Sequence, residues 1–417
     1  MAGTEQTAVP GSDLERQEQG HASRARQRML FAIHAPRDID TAVFTNTRQR
    51  ATCLEARGWK CEIISAEDFP SVRRLGARFR PLVFPFSLTR WLFRHAPEFD
   101  AVTFHSYAGW LALRLSSFIR RFGRLRMIVQ FHGLEPLYYA ALKDESQRGN
   151  KPLSWRYRLV NGCLMRWVLR SSCRRADLVF CLNSEERRYL IDRRWAAADR
   201  VRCIPHPVPE RFFIDRDYTP RATKLLFVGQ WLGMKGIHHL VEAFSQLSRT
   251  RPELQLCCAG TLASAETVLE SFPAEIRKQV SVFPRVNRTE LVNLHRQSDI
   301  FVFPTLSEAF GLAAVEAMAS GMPIVTTPVG AALDILQDGN SVVFCPAHDS
   351  ERLAKCIAEL LDDCPRREQL GRNARKAAEV LREEVVWRDY AATLNELAAR
   401  PDCDSAAYAA SRENRTR

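Results

Sequence analysis

Two carboxylates flank a short turn in the second half of the chain, in the segment 304–344. Glu308 and Glu316 are eight residues apart. If a helix begins near the glycine between them, Glu316 lies within it and Glu308 on the preceding loop. The first N–H groups of a helix lack intrahelical partners and favour anions, whereas carboxylates accept hydrogen bonds from hydroxyl groups. The segment therefore predicts a site for a ligand with phosphates and hydroxyls. The residues of its turn are Ala309, Phe310, Gly311 and Leu312.

A second candidate lies in residues 225–244, where an apolar strand, a glycine-containing turn and a helix follow one another. Gly229 and Gln230 end the strand, and Lys235 stands before the helix. An ammonium at a strand end suits a phosphate ligand. The segment is not a P-loop, because it lacks the required Gly-Lys-Ser/Thr sequence. Gly260 ends the next predicted strand and completes the set of glycines expected near the ligand.

Polar residues also follow the strands of the first half. His132 comes after the strand in 126–133, and His105 and Ser106 end the strand in 101–106. Asn183 ends the strand in 177–183, and Ser184 follows it. Because ligands of open α/β sheets bind at the carboxyl ends of strands, we expect His132 to face the ligand, and His105 and Ser106 to lie on the acceptor side.

Short apolar runs alternate with helical segments throughout the chain, which predicts βαβ units and mostly parallel sheets. The expected fold class is α/β, with two facing Rossmann-like domains and a ligand cleft between them. The stretch 203–221 contains several prolines and is interpreted as the linker. The predicted divisions are a disordered leader (1–27), a first domain (28–215), a second domain (222–384), a final helix (385–400) and a flexible tail (401–417).

The composition indicates a globular protein with a basic first half. The 417 residues are 46% hydrophobic and carry a net charge of +12. Eleven arginines stand between Pro70 and Gln130, where the only acids are Glu98 and Asp100. The segments 88–96 and 158–170 combine arginines with apolar residues at helical spacing, as amphipathic helices on an anionic membrane do. No apolar run approaches the length of a membrane span, and no signal-peptide core is present. We therefore expect a cytoplasmic protein that can lie at the cytoplasmic face of the membrane.

Together these segments resemble the retaining GT-B glycosyltransferases of family 4, most closely from Leu225 to Arg400. The resemblance implies a nucleotide-sugar donor in the second domain, retention at the anomeric carbon, no metal or other cofactor, and a last helix that crosses back to the first domain. It places Glu308 and His132 beside the transferring sugar, Lys235 at the diphosphate, and Glu316 at the ribose. Asp215 and Asp217 have the DxD form of metal-dependent enzymes, but they lie in the linker.

Two features depart from this family. Gln230 occupies the position of a phosphate-binding arginine, and the loop 34–46 has no glycine where the family often has a Gly-Gly pair. The donor base, the sugar and the acceptor, whether glycan, lipid-linked or small molecule, stay open. The alternatives are an epimerase or phosphorylase of the same fold and a basic nucleic-acid-binding protein. No recognised nucleic-acid module occurs in the basic segments, which disfavours the last.

Overall fold

A computed structural model of the chain describes residues 27–37, 42–75, 79–120, 124–149 and 152–400. The predicted leader, except for its last residue, and the predicted tail lie outside the described residues. The same holds for residues 38–41 of the loop 34–46.

The first half forms a six-stranded parallel sheet in the order β2-β1-β3-β4-β5-β6. Its central strands are buried on both faces, as continuous apolar runs predict. The predicted linker is wrong in its first residue, because Cys203 ends β6 and pairs with Cys181 of β5. This three-residue strand has one buried residue and so no apolar run to reveal it. The strands are β1 (Arg28–Ile33), β2 (Lys60–Ser65), β3 (Ala101–His105), β4 (Arg126–Gln130), β5 (Leu178–Cys181) and β6 (Val201–Cys203).

The second half repeats this architecture in a parallel sheet of order β12-β11-β10-β7-β8-β9. Each of its six strands is shorter than the apolar run that contains it. The last is reduced to Val343–Phe344. The strands are β7 (Lys224–Val228), β8 (Gln255–Ala259), β9 (Val280–Phe283), β10 (Ile300–Phe303), β11 (Ile324–Thr326) and β12 (Val343–Phe344).

Strand order reverses at one point in each sheet. In the first sheet β1 lies between β2 and β3, and in the second β7 lies between β8 and β10. Crevices at the carboxyl ends of such strand pairs are the usual ligand sites of doubly wound sheets. Lys235 follows β7 and Gly260 follows β8, at the crevice of the second sheet. In the first sheet His105 ends β3, whereas His132 follows the neighbouring strand β4.

Helices cover both sheets. Those of the first half are α1 (Ala42–Glu55), α2 (Pro70–Leu75), α3 (Arg80–His95), α4 (Trp110–Arg114), α5 (Ser116–Arg120), α6 (Glu135–Gln147), α7 (Trp155–Tyr157), α8 (Met165–Arg175) and α9 (Ser184–Asp192), with the π-helical segment Arg158–Leu164 between α7 and α8. Those of the second half are α10 (Ile237–Thr250), α11 (Ala265–Glu270), α12 (Arg288–Gln297), α13 (Leu312–Ala319), α14 (Ala331–Ile335), α15 (Ser350–Asp362), α16 (Cys364–Ala378) and α17 (Glu383–Ala399). None of the helices in these described ranges is long and apolar enough to span a membrane.

The last helix, α17, crosses back to the first domain. Its buried face, which includes Trp387 and Tyr390, joins a core cluster with Met29 and Phe31 of β1. At the helix end the Trp59 indole donates a hydrogen bond to Asn395 (3.3 Å). Burial of these rings against the first sheet ties the two halves together.

One of the two predicted amphipathic surface helices is mostly a core element. In the segment 88–96, Leu88 and Leu92 of α3 have no exposed surface, because this face of the helix packs on the first sheet. In the segment 158–170, Leu159 and Leu164 are half exposed, whereas Val168 and Leu169 are buried.

Candidate active site in the interdomain cleft

The turn after β7 brings Lys235 to Glu308. Gly236 ends this turn with a φ of +69°, and a Cβ there would lie 1.8 Å from the Pro304 carbonyl oxygen, so only glycine permits the close approach. The Lys235 ammonium forms an ion pair with the Glu308 carboxylate. Thr305 donates a further hydrogen bond to Glu308 (3.3 Å). Lys235 and Glu308, the residues predicted to bind the phosphate and the sugar, are thus neighbours, and each neutralises the charge of the other.

The helix predicted between the two carboxylates is α13, which begins at Leu312. Gly311 precedes it with a φ of +83°, the left-handed conformation that glycine adopts most readily. Phe310 is buried, and its carbonyl accepts a hydrogen bond from Ala331 (2.9 Å). The first amides of α13 lack intrahelical partners, as the predicted anion-binding end requires.

Glu316 lies within α13, as predicted, but it has a partner that the sequence did not reveal. Arg288, the first residue of α12, donates to its carboxylate at 2.6 Å. Burial raises the pKa of Glu316 to about 7, and Arg288 partly opposes that rise. Arg288 is half exposed while Glu316 is buried, so the guanidinium covers the carboxylate from the solvent side.

The remaining residues predicted to bind the donor lie along the ends of β7 and β8. Gly229 donates to the Ala259 carbonyl (2.9 Å), and Gly260 donates to the Phe283 carbonyl (2.8 Å). These bonds place Gly229 and Gly260 side by side at the carboxyl edge of the sheet. Gln230 is exposed there, and its carbonyl accepts from Leu232 (2.8 Å).

Three histidines gather at the carboxyl edge of the first sheet. His132 Nε2 lies 2.7 Å from His105 Nδ1, and the His132 and His206 rings are nearly parallel at 5.8 Å. The edge of the Phe310 ring meets His206 at 5.3 Å, which joins this cluster to the second domain. Burial lowers the pKa of His206 to about 3 and holds those of His105 and His132 well below the ordinary value. The three imidazoles are therefore neutral near pH 7.

His105 and Ser106, which were predicted to lie on the acceptor side, are both buried. His105 is fully buried, so it contacts His132 rather than facing the cleft. Ser106 is 5% exposed, adopts a φ of +52°, and donates to the Glu135 carboxylate. His105 ends β3, a strand whose five residues are all buried, and Ser106 follows it.

Direct contacts join the two domains at this cleft. Gly133 approaches the Ala309 loop so closely that a Cβ there would lie 2.8 Å from Ala309 Cβ. The Asn183 amide donates to the Ala309 carbonyl, and the Ser184 backbone N–H donates to Asp334 (2.6 Å). The loop between Glu308 and Leu312 is therefore held by both domains, in a closed arrangement.

Some of these residues were absent from the sequence-based candidates. His206 lies after β6, in the stretch interpreted as a linker. Arg288 follows β9, and no motif of the sequence analysis includes it. Recognising β6 as a strand would have placed His206 at the carboxyl edge, whereas its contact with Phe310 depends on how the domains meet.

Among the described residues, the group that could ligate a metal does not coincide with this site. In the described ranges, one group offers three ligand atoms within 4.8 Å of one another, namely Asp144, Glu145 and His348. In the DxD sequence, Asp215 pairs with Arg375 at 3.7 Å, and Arg216 donates to the Ser298 carbonyl (2.7 Å). That sequence therefore fastens the linker to the second domain.

Comparison with known proteins matches both halves of the chain to families of known activity. Residues 32–212 match the family described as Glycosyltransferase Family 4, and residues 214–377 match the Glycosyl transferases group 1. A D-inositol 3-phosphate glycosyltransferase of Paenarthrobacter aurescens is 31% identical over 204 residues, which are 46% of this chain and 50% of that protein. The chain spans about half the length, or less, of the relatives that it matches by sequence.

Solved structures share the whole fold. Sucrose-phosphate synthase from Thermosynechococcus elongatus superimposes with a TM-score of 0.69 at 19% identity, covering 90% of this chain and 100% of its own. HepE of Anabaena, solved in complex with UDP, gives 0.65 at 16% identity, with 89% and 100% covered. At these identities the likeness establishes the arrangement of two facing Rossmann-like domains.

Proposed function

The chain belongs to the group 1 glycosyltransferases with the GT-B fold, and we propose that it transfers a sugar from a nucleoside diphosphate donor with retention of anomeric configuration. The observation that carries this proposal is the pairing of Lys235 with Glu308 at the carboxyl edge of the second sheet, opposite His132 and Gly133 of the first. A cation for phosphate and a carboxylate for hydroxyls are adjacent there.

The leaving diphosphate is the group that needs most stabilisation. When the bond from the anomeric carbon breaks, its electron pair goes to the diphosphate oxygen. Lys235 and the amides at the start of α13 offset that charge, an electrostatic contribution that is often the largest in such a site. Gln230 donates hydrogen bonds there without charge. Gly229 and Gly260 leave the backbone open to the diphosphate.

Glu308 and His132 hold the sugar. Binding of a diphosphate draws Lys235 away from Glu308, which frees the carboxylate to accept from sugar hydroxyls. His132 is neutral, so it offers one donor and one acceptor nitrogen. The hydrogen bond to His105 fixes which nitrogen faces the cleft, although the direction of that bond depends on the tautomer.

Glu316 anchors the ribose hydroxyls, and Arg288 partly opposes the rise in the pKa of this buried carboxyl. Because Arg288 covers Glu316 from the solvent side, we propose that it swings aside toward the diphosphate when the nucleotide enters. Arg288 then brings to the diphosphate the positive charge that the uncharged Gln230 does not supply. Closure of the domains, through contacts such as Asn183 with the Ala309 loop, excludes water that would hydrolyse the donor.

The acceptor is a glycan, a lipid-linked molecule or a small molecule, and no nucleic acid takes part. We propose that transfer needs neither metal nor other cofactor, because the cations at the site are side chains. The arginines of the first half favour peripheral contact with an anionic membrane. We propose that the surface contacted is the cytoplasmic face of that membrane. The matched families are glycosyltransferases, so they do not favour the epimerase, phosphorylase or nucleic-acid alternatives.

The test is turnover of UDP-, GDP- and ADP-sugars in the presence of a chelator. Release of sugar without acceptor, or transfer to added glycans, is followed with the wild type, Lys235→Ala and the control Lys355→Ala, an exposed lysine of the same domain. One donor is expected to react, with the activity lost in Lys235→Ala alone and the anomeric configuration retained by NMR. Turnover that needs added metal, inverts the configuration or survives Lys235→Ala would contradict the corresponding part of the proposal.

A further inference from the structure

Exposed large apolar side chains concentrate on one part of the first domain. Among the described residues, ten of the fifteen exposed large hydrophobics lie between Phe79 and Trp167. Solvent-exposed fractions reach 57% for Phe86, 59% for Phe118 and 69% for Trp155. Exposed apolar side chains mark an interaction site where they adjoin one another, and ordinary surface where they are scattered singly.

The aromatic rings of three helices join into one surface. Phe86 of α3 meets Trp110 of α4 edge-on at 6.3 Å, and Trp110 meets Trp167 of α8 at 6.2 Å. The Arg114 guanidinium lies over the Trp167 ring, 5.4 Å from its centre. We call these four residues, together with Arg170 and Arg174 of α8, the aromatic–arginine face.

A basic groove of about 220 Å³ lies within this face. No carboxylate lines it, and within the described ranges no acid forms an ion pair with Arg114, Arg170 or Arg174. Burial and repulsion from Arg170 lower the pKa of Arg174, as expected for cations without a counter-charge. The lining residues are Arg114, Trp167, Arg170, Ser171, Arg174 and Arg175.

We propose that the aromatic–arginine face binds the surface of an anionic lipid bilayer, with a lipid phosphate in the groove. Arginine binds phosphate through two parallel hydrogen bonds, and tryptophan is enriched at the headgroup level of membranes. The arginine stems lie along apolar surface while their charged ends reach the phosphates. This inference rests on the proposed function in one respect, since it takes the bilayer to present the acceptor of the sugar.

Aliphatic side chains beside the groove favour a bilayer over a nucleic acid. Leu164, Trp167, Arg170 and Arg174 follow one another at spacings of three or four residues, so they share one side of the helix. Leu164 is 50% exposed and Leu159, in the preceding π-helical turn, 57%. A membrane buries such aliphatic groups, whereas nucleic acids are bound through stacking, charge and hydrogen bonds.

Co-sedimentation with vesicles tests this surface independently of catalysis. Vesicles of phosphatidylcholine are compared with vesicles containing about one quarter phosphatidylglycerol, a fraction that gives a strong negative surface potential. The variants are R114Q/R170Q/R174Q and Trp167→Ala. The control R249Q/K278Q/R296Q removes the same charge from exposed positions in the second domain.

The wild type and the control are expected to bind the anionic vesicles at least about tenfold more tightly than the neutral ones, with the difference lost in high salt. Both face variants are expected to lose most of that binding while nucleotide binding is unchanged. Unchanged nucleotide binding separates failure at this face from failure of the donor site.

Three results would overturn the proposal. One is vesicle binding that the control variant loses as strongly as the arginine variant. Another is saturable quenching of tryptophan fluorescence by inorganic phosphate or pyrophosphate without vesicle binding, which would assign the groove to a soluble phosphate. The third is a dimer by analytical ultracentrifugation that Trp167→Ala converts to a monomer, which would assign the face to a second copy of the chain.

Discussion

The Arg288 guanidinium lies 2.6 Å from the Glu316 carboxylate and covers it from the solvent side. Glu316 is 4% exposed, and Arg288 begins a different helix. Two segments that are distant in the sequence therefore meet at one buried carboxyl group. A buried carboxylate with a movable cationic partner is suited to exchange that partner for the hydroxyls of a ligand.

The stability of the protein should depend on pH through Glu316. Its pKa is about 7 in the folded chain against 4.5 for the free side chain, so the folded state holds the proton more tightly. The stabilisation is full below the unfolded pKa and is lost as pH rises through about 7. Glu316→Gln cannot titrate. The free energy of unfolding of the wild type, relative to this variant, is therefore expected to fall by about 2–3 kcal/mol between about pH 5 and 8.

Urea unfolding of both proteins at the two pH values measures this difference. Parallel pH dependence in the wild type and in Glu316→Gln would show that Glu316 does not carry a raised pKa.

Gly133 sets how closely the domains approach. Gly133→Ala would put its Cβ 2.8 Å from Ala309 Cβ and would also strain the backbone at a φ of +140°. We expect the domains to be held apart, with kcat reduced by at least about tenfold and nucleotide affinity little changed. The readouts are steady-state kinetics and small-angle scattering with bound nucleotide.

Gly149→Ala is the matched control, because Gly149 has a φ of +91° but no atom within 4 Å of the added Cβ. If both variants lose activity equally, backbone strain rather than domain approach explains the loss.

The Lys235–Glu308 pair predicts opposite effects on binding at its two ends. Glu308→Gln leaves Lys235 without its carboxylate partner, so nucleoside diphosphate should bind at least as tightly as to the wild type while turnover falls. Lys235→Ala should weaken diphosphate binding by about tenfold or more, since a charge-assisted hydrogen bond is lost. Calorimetry and initial rates measure both. Weaker diphosphate binding in Glu308→Gln would contradict the exchange of partners.

His105 is a positioning residue in this account. His105→Phe keeps a buried ring but cannot bond to His132, so kcat should fall while KM for the donor stays nearly constant. His132→Ala should lower kcat at least as much. The pH profile provides a second signature. Without the hydrogen bond to His105, His132 should have a higher pKa and become protonated at a higher pH than in the wild type. A KM effect alone would assign His105 to packing.

Much of this architecture follows from local patterns in the chain. Apolar runs predicted the central strands, since strands buried on both faces have few polar residues. The turn before α13 was predicted from Gly311 and the spacing of Glu308 and Glu316. Lys235 was predicted from its place between a strand and a helix.

The missed features depend on contacts between distant segments. Arg288 and Glu316 lie on different helices, and His206 and Phe310 lie in different domains. No periodicity along the sequence therefore indicates either contact. β6 contributes a single buried residue and left no apolar run. The amphipathic segment 88–96 was misread because periodicity identifies an apolar face without saying what covers it.

The most direct test of the donor site is calorimetric binding of UDP, GDP and ADP to the wild type, to Glu316→Ala and to Glu275→Ala, an exposed carboxylate of the same domain. One nucleotide is expected to bind saturably to the wild type and to Glu275→Ala, and at least about tenfold more weakly to Glu316→Ala, a loss of about 1.4 kcal/mol. Equal affinity in all three proteins, or no binding of any nucleotide, would contradict the account.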